Sequence, residues 1–358
     1  MIYLDYQATT PLAPEARDAM LPWLAGPEGM GFANPHSPHR PGRAAAAAVE
    51  FARDKVAALL PPGGRVIFTG SATEALNLAL LGRNWKQVAV STIEHAAVLD
   101  TAQASGAAVH VLETDGDGLV PGNIAIPSGT GLVAVMQVNN EIGTIQPVAA
   151  IADAAHATGA LFLCDAVQGA GKLAPPEGAD MIALSAHKLY GPKGIGALWL
   201  RDGIELAPLI HGGGQEGLRS GTLSPALCAG FGAAATLASA RMEADASHAA
   251  ALWVRARELL PDWTLNGSAS QRWQGNLNLR RDGLDVARLM SDLRDIAFSA
   301  GSACASGSGR PSHVLRAIGL SDRQAKSSIR IGFGRYTAMG DLEDACARID
   351  AAATAQGV

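Results

Sequence analysis

Lys188 sits in Ser185-Ala186-His187-Lys188-Leu189-Tyr190-Gly191-Pro192-Lys193-Gly194, between a hydroxyl, an imidazole and a glycine-rich turn. The run before it, Met181-Ile182-Ala183-Leu184, is short, apolar and bounded by polar residues. It reads as a buried strand that delivers Ser185, His187 and Lys188 at its exit. A lysine held there beside another cation would have a depressed pKa and a free lone pair for attack on an aldehyde or ketone. A lysine taken alone is more often a surface residue in a turn, so its neighbours must decide. Asp165 and Gln168 follow the apolar run Leu161-Phe162-Leu163-Cys164. An aspartate at such an exit needs a partner, and a protonated pyridine nitrogen is a fitting one. Asp165 and Lys188, on successive strand ends, are thus the pair that pyridoxal phosphate requires: one keeps the ring protonated, the other binds its aldehyde.

Other strand exits add polar groups. Val66-Ile67-Phe68 runs into Thr69-Gly70-Ser71-Ala72-Thr73-Glu74 and then a helix. A small-residue turn of this kind presents backbone amides and a positive dipole end to a phosphate; it serves equally well as a plain N-cap. His95 follows the strand ending at Val90, where an imidazole could stack on a planar ring, although a lone histidine there is more often structural. Asn140 follows the strand ending near Gln137. Gly171-Lys172 is followed by Leu173, so the nucleoside-triphosphate loop pattern is absent.

The four cysteines, Cys164, Cys228, Cys304 and Cys346, lack metal-type CxxC spacing. Three lie in apolar or alanine-rich patterns and read as small core residues. Cys304 instead lies in Ser299-Ala300-Gly301-Ser302-Ala303-Cys304-Ala305-Ser306-Gly307-Ser308-Gly309, which has no apolar face to bury and reads as an accessible, mobile loop.

The elements that must position these groups follow from the hydrophobic pattern. Between residues 65 and 200 short apolar runs alternate with helical patterns, the signature of a mainly parallel sheet with helices on both faces and ligands at the carboxyl ends of its strands. A long helical region from Pro225 leads to a different rhythm, with strand-like Asn276-Leu277-Asn278-Leu279 and a later strand over 328–333. The expectation is an α/β large domain over 12–250 and a smaller α+β domain over 251–358 joined by residues 1–11. With 48% hydrophobic residues, 17% charged residues and net charge −5, the chain gives little electrostatic support to nucleic-acid or anionic-membrane binding. Asp5 interrupts any apolar signal core, and a cytosolic protein without metal sites or structural disulfides is expected.

The chain resembles the cysteine desulfurases, in the class V aminotransferase branch of fold-type I pyridoxal-phosphate enzymes. The matching segments include LDYQATTP (4–11), FTGSATEALN (68–77), VNNEIGTIQ (138–146), DAVQGAGK (165–172), SAHKLYGPKGIGAL (185–198), SAGSACASGS (299–308) and SSIRIGFGR (327–335). The resemblance implies a mainly parallel, seven-stranded type of sheet and a homodimer. Lys188 would link to the cofactor, Asp165 would pair with its pyridine nitrogen, Gln168 would bond its phenolic oxygen and His95 would stack on its ring. Ala72, Thr73, Ser185 and His187 would hold the phosphate, joined by Thr222 of the other subunit. Asn140 and Arg330 would orient the carboxylate of L-cysteine. Cys304 would take the substrate sulfur as a persulfide, leave L-alanine, and pass the sulfur to a protein acceptor such as an iron–sulfur scaffold or a sulfur carrier. Cys304 separates this reading from a lyase or aminotransferase acting on another amino acid. A cofactor-binding assembly subunit without turnover would tend to lose one of Lys188, Asp165, Cys304 or Arg330, and all four are retained. The segment over 212–219 is one residue shorter than is common in the family, and Ser71 stands where glycine is usual.

Overall fold

The computed structural model describes residues 1–301 and 311–358. In chain order its elements are β1 (Ile2–Tyr3), α1 (Pro14–Met20), α2 (Arg40–Ala57), β2 (Gly64–Thr69), α3 (Ala72–Leu81), β3 (Gln87–Ser91), α4 (Ala96–Ala104), β4 (Ala108–Leu112), β5 (Leu132–Ala134), α5 (Val148–Ala157), β6 (Leu161–Asp165), β7 (Met181–Ser185) and β8 (Gly196–Arg201). They continue with α6 (Pro225–Leu259), β9 (Thr264–Leu265), β10 (Asn276–Arg280), α7 (Val286–Asp292), β11 (Ile296–Ala297), β12 (Ser299–Ala300), α8 (His313–Ala317), α9 (Asp322–Lys326), β13 (Ser328–Gly332) and α10 (Met339–Thr354).

Strands β2 to β8 form one seven-stranded sheet in the order β2-β8-β7-β6-β5-β3-β4. Its pairings are parallel except those of β8, which runs antiparallel to both β2 and β7. Both faces are covered, and the side-chain alternation along each strand shows how. Phe162 and Cys164, Ile182 and Leu184, and Ala197 and Trp199 pack into one core with α2, α5 and α6. Leu163, Met181 and Ala183, and Leu198 and Leu200 pack into another with α3 and α4. A period of two places successive side chains on opposite faces, and a sheet buried on both needs the near-continuous apolar runs seen here. At the sheet margin β4 leaves Val109, His110 and Val111 exposed.

A third core lies under the antiparallel sheet β12-β13-β10-β9, where Leu277, Leu279, Ile329 and Ile331 meet residues of α7 and α10. The N-terminal strand β1 pairs with β11, and Leu4 packs into this core. Helix α6 serves two cores: Phe231 and Ala235 belong to the first, Leu252 and Ala256 to the third. Residue 250, where the sequence places the change of domain, lies inside this continuous helix.

Candidate active site

The carboxyl ends of β2, β3, β5, β6 and β7 share one edge of the large sheet, because β2 is antiparallel to β8 and β8 to β7. A cavity of about 290 Å³ opens there. It is lined by Ala72, Thr73, His95, Asn140, Asp165 and Gln168, with Ser185, His187 and Lys188 beside them. Arg330, from β13 of the other sheet, completes the wall together with Gln7 and Ala8 of the N-terminal segment. Ten of the twelve residues named from the sequence therefore converge. Thr222 is exposed and outside the cavity of its own chain, and Cys304 lies outside the described residues.

Lys188 ends a single 3₁₀ turn over Ala186–Lys188. Two backbone amides, from Leu189 at 3.1 Å and Gly191 at 2.9 Å, donate to the Ala186 carbonyl and close the turn. Between them Tyr190 takes φ of 67°, a left-handed conformation that bulky residues rarely adopt. Its surroundings hold it there. The Tyr190 amide donates to Thr10 Oγ1 at 2.8 Å, its hydroxyl accepts from the Arg335 amide at 2.9 Å, and the Arg335 guanidinium lies 4.1 Å from its ring centre. Strain of this sort persists only where the environment over-determines it. Lys188 Nζ donates to the Gln7 carbonyl and to the Ala8 carbonyl at 2.8 Å.

Asp165 is buried and accepts from the Val167 amide at 2.9 Å. Burial raises its pKa, opposed by that amide, by His95 and by Lys188. Gln168 donates through Nε2 to the Gln7 carbonyl at 3.0 Å, while its buried Oε1 has no partner among the described residues. His95 caps α4, its Nδ1 accepting from the Ala97 amide at 3.1 Å. That bond fixes the ring's orientation at the cavity wall. His187 bonds Thr9 Oγ1 at 3.1 Å, and burial, followed by Lys188, Lys193 and Lys172, pushes its pKa down to about 4. It is a neutral imidazole near pH 7.

Helix α3 points its N-terminus at the same cavity. Ser71 caps it by accepting from the Glu74 amide at 3.3 Å, and the first-turn amides have no intrahelical acceptors. Gly196 allows this approach: a Cβ there would lie 2.5 Å from the Ser71 carbonyl carbon and 2.7 Å from the Ala72 nitrogen. Arg330 is fully buried. Its Nη1 donates to the Asn140 carbonyl at 3.0 Å and its Nη2 to Asp5 Oδ1 at 2.8 Å.

The sequence reading did not single out several groups that shape this site. Glu94 is fully buried, receives Ser91 Oγ at 2.5 Å and the Met136 amide at 2.8 Å, and is pushed by burial up to about 8. Lys172 donates to the Gln168 carbonyl at 3.1 Å; burial, then Lys188, brings it down to about 7. Asp5 binds Arg330 across the whole chain. Each was visible as a residue type, but only its tertiary surroundings make it unusual. Cys164, Cys228 and Cys346 are buried free thiols, with pKa values raised by burial well above the ordinary range for Cys164 and up to about 12 for Cys228 and Cys346. They are core residues, as their sequence neighbourhoods indicate.

Pyridoxal phosphate fits this wall. The α3 N-terminus meets a phosphate, the buried Asp165 carboxylate meets a ring cation, and the unpartnered Gln168 amide oxygen marks a polar contact left to be made. Fold and site define a pyridoxal-phosphate transferase of fold-type I. The Aminotransferase class-V family matches residues 2–344. The cysteine desulfurase IscS of Shewanella denitrificans is 42% identical over 96% of this chain and 90% of its own length. Among solved structures, a NifS-like protein from Rickettsia africae superposes with TM-score 0.88 at 28% identity, covering 98% of this chain and 99% of its own. SspA in complex with cysteine superposes with TM-score 0.82 at 34% identity, covering 94% of this chain and all of its own. The chain belongs to the aminotransferase class-V family and, within it, to the cysteine desulfurases.

Proposed function

We propose that this enzyme converts L-cysteine to L-alanine and carries the removed sulfur on Cys304 as a persulfide. The observation that supports this most directly is the meeting of Lys188, Asp165 and Arg330 on one cavity, which joins a cofactor pair to a site for an amino-acid carboxylate. When bound, pyridoxal phosphate supplies an electron sink for the bonds around the substrate α-carbon. Ala72, Thr73, Ser185 and His187 hold its phosphate, Asp165 its ring nitrogen, Gln168 its phenolic oxygen and His95 its ring face. Arg330 and Asn140 receive the substrate carboxylate. The Arg330 guanidinium is pre-oriented by Asp5 and by the Asn140 carbonyl, and its buried Nε has no partner among the described residues, a donor that a carboxylate would satisfy. Lys188 would link to the cofactor's aldehyde carbon and, with its amine free, would move the substrate α-proton. The Cys304 thiolate takes the sulfur.

The enzyme works as a homodimer in the cytosol in this reading, with Thr222 reaching the phosphate held by the partner subunit. No helix among the described residues is long and apolar enough to cross a membrane. The acceptor is a protein, an iron–sulfur scaffold or a sulfur carrier. A division into 12–250 and 251–358 with 1–11 would put the cofactor groups on the first unit and Arg330 and Cys304 on the second. With Lys188→Ala we expect loss of the bound cofactor's visible absorption band. With Cys304→Ser we expect a normal band but no persulfide from L-cysteine. An unchanged spectrum in the first variant, or wild-type sulfide release in the second, would exclude the assigned roles.

A further inference from the structure

Glu141 is 2% exposed, yet it lies beside the apolar cluster of Ile142, Val314, Leu315 and Ile318. A carboxyl group taken out of water is costly unless it is hydrogen-bonded, and an apolar residue commonly serves stability as well. Its contacts show a different use. Ser312 Oγ donates to Glu141 Oε2 at 2.5 Å and accepts from the Leu315 amide at 3.0 Å, so the residue that caps α8 is tied to this carboxyl. Asn278 Nδ2 donates to the Glu141 carbonyl at 3.1 Å and to the Gly301 carbonyl at 3.4 Å. Gly301 and Ser312 flank the stretch that contains Cys304. One residue earlier, the Asn140 carbonyl accepts from Arg330 Nη1 at 3.0 Å.

We propose that Glu141 is a positioning residue: its carboxyl holds Ser312, one flank of the Cys304 stretch, in register with the Asn140–Arg330 pair that receives the substrate carboxylate, while Asn278 ties its backbone carbonyl to Gly301, the other flank. The inference rests on the desulfurase reading above. His313 adds a second tether, its Nε2 meeting the Glu94 carbonyl at 2.9 Å, immediately before His95. Burial raises the Glu141 pKa, opposed by Ser312, His313 and Arg330; in either protonation state the contact with the Ser312 hydroxyl can be kept by exchanging donor and acceptor. The step that depends on this register is sulfur transfer. The Cys304 sulfur bonds to the substrate sulfur, and the carbon–sulfur bond breaks with its electron pair remaining on carbon. Protonation there gives L-alanine, so that L-cysteine and a thiol become L-alanine and a persulfide without an external oxidant. A misplacement of about 1 Å in such a step costs roughly 100-fold in rate.

The test is a single turnover of the holoenzyme with L-cysteine, read in two ways: the change in the cofactor's visible absorption, and one added sulfur on Cys304 by intact mass. With Glu141→Ala the cofactor band and its response to L-cysteine are expected to persist, while persulfide formation slows roughly 100-fold. Glu141→Gln keeps an oxygen acceptor for Ser312 and is expected to restore most of that rate. Ser312→Ala deletes the hydroxyl from the same contact, together with the α8 cap, and it is expected to give the same split even if Glu141→Ala does not fold. Persulfide at the wild-type rate in Ser312→Ala, or equal slowing of both readouts, overturns the positioning role. Absence of persulfide on wild-type Cys304 overturns the desulfurase reading itself, and this inference with it.

Discussion

Glu94 shows how far burial moves a single group at this site. Its folded-state pKa rises from the ordinary 4.5 to about 8, first through burial, with Ser91 and the Met136 amide opposing and Asp165 adding to the rise. The native state therefore binds more protons than the unfolded chain between those values, and stability falls as pH rises through that window. Glu94→Gln removes the titration while keeping an oxygen for Ser91 and Met136. Thermal unfolding from pH 5 to pH 9 is expected to show the wild type losing ground to this variant as pH rises; parallel curves would mean that Glu94 is ionised throughout. The chemistry-bearing side chains were largely legible from their types and strand-end positions, as Lys188 and Asp165 show. Glu94 was not, because a glutamate in a polar turn looks ordinary until the Met136 amide and a closed apolar surround are placed against it.

At the level of elements, the approach of α3 to the sheet decides whether the amides of Ala72 and Thr73 reach the cavity. Gly196 opens β8 directly against that turn, with Leu184 O only 2.6 Å from where a Cβ would stand. Backbone atoms cannot yield as the tip of a flexible side chain can, so Gly196→Ala pushes α3 away from β7. We expect a loss of about 1–3 kcal/mol in stability together with weaker cofactor retention, measured by denaturant unfolding and by dialysis of the holoenzyme. Wild-type retention would show that the phosphate is held elsewhere. Strand positions followed from apolar runs, but the antiparallel direction of β8 did not, since an apolar run has the same pattern read either way.

Across the whole molecule, the site is assembled from distant parts of the chain and, in the proposed dimer, from two chains. Asp5 and Arg330 meet at 2.8 Å, so the N-terminal segment is built into the substrate end of the cavity. The segment leading to Thr222 is fastened to its own subunit. Glu216 pairs with Arg53 through two contacts of 2.6 and 2.7 Å and accepts from the Phe68 amide at 2.9 Å, and Arg219 bonds Glu74 at 2.9 Å. These anchors lie within the shortened stretch, and Thr222 beyond them is exposed. Thr222→Val is expected to weaken cofactor retention roughly tenfold, the effect of one hydrogen bond to a charged group. Hybrid dimers of Thr222→Val with Lys188→Ala should regain one working site, because each variant supplies what the other lacks. No gain of activity on mixing would place Thr222 in its own subunit's site or outside any site.

The sequence by itself determined the α/β class, the strand ends and the family, because these depend on local hydrophobic periodicity and on motifs contiguous in the chain. It also separated Cys304 from the three core cysteines by their immediate neighbours. Tertiary structure alone decided that Asp5 meets Arg330, that Glu94 loses its water, and that the Glu141 carboxyl meets Ser312. Those properties arise from burial and from contacts between residues far apart in sequence, and neither has a local signature.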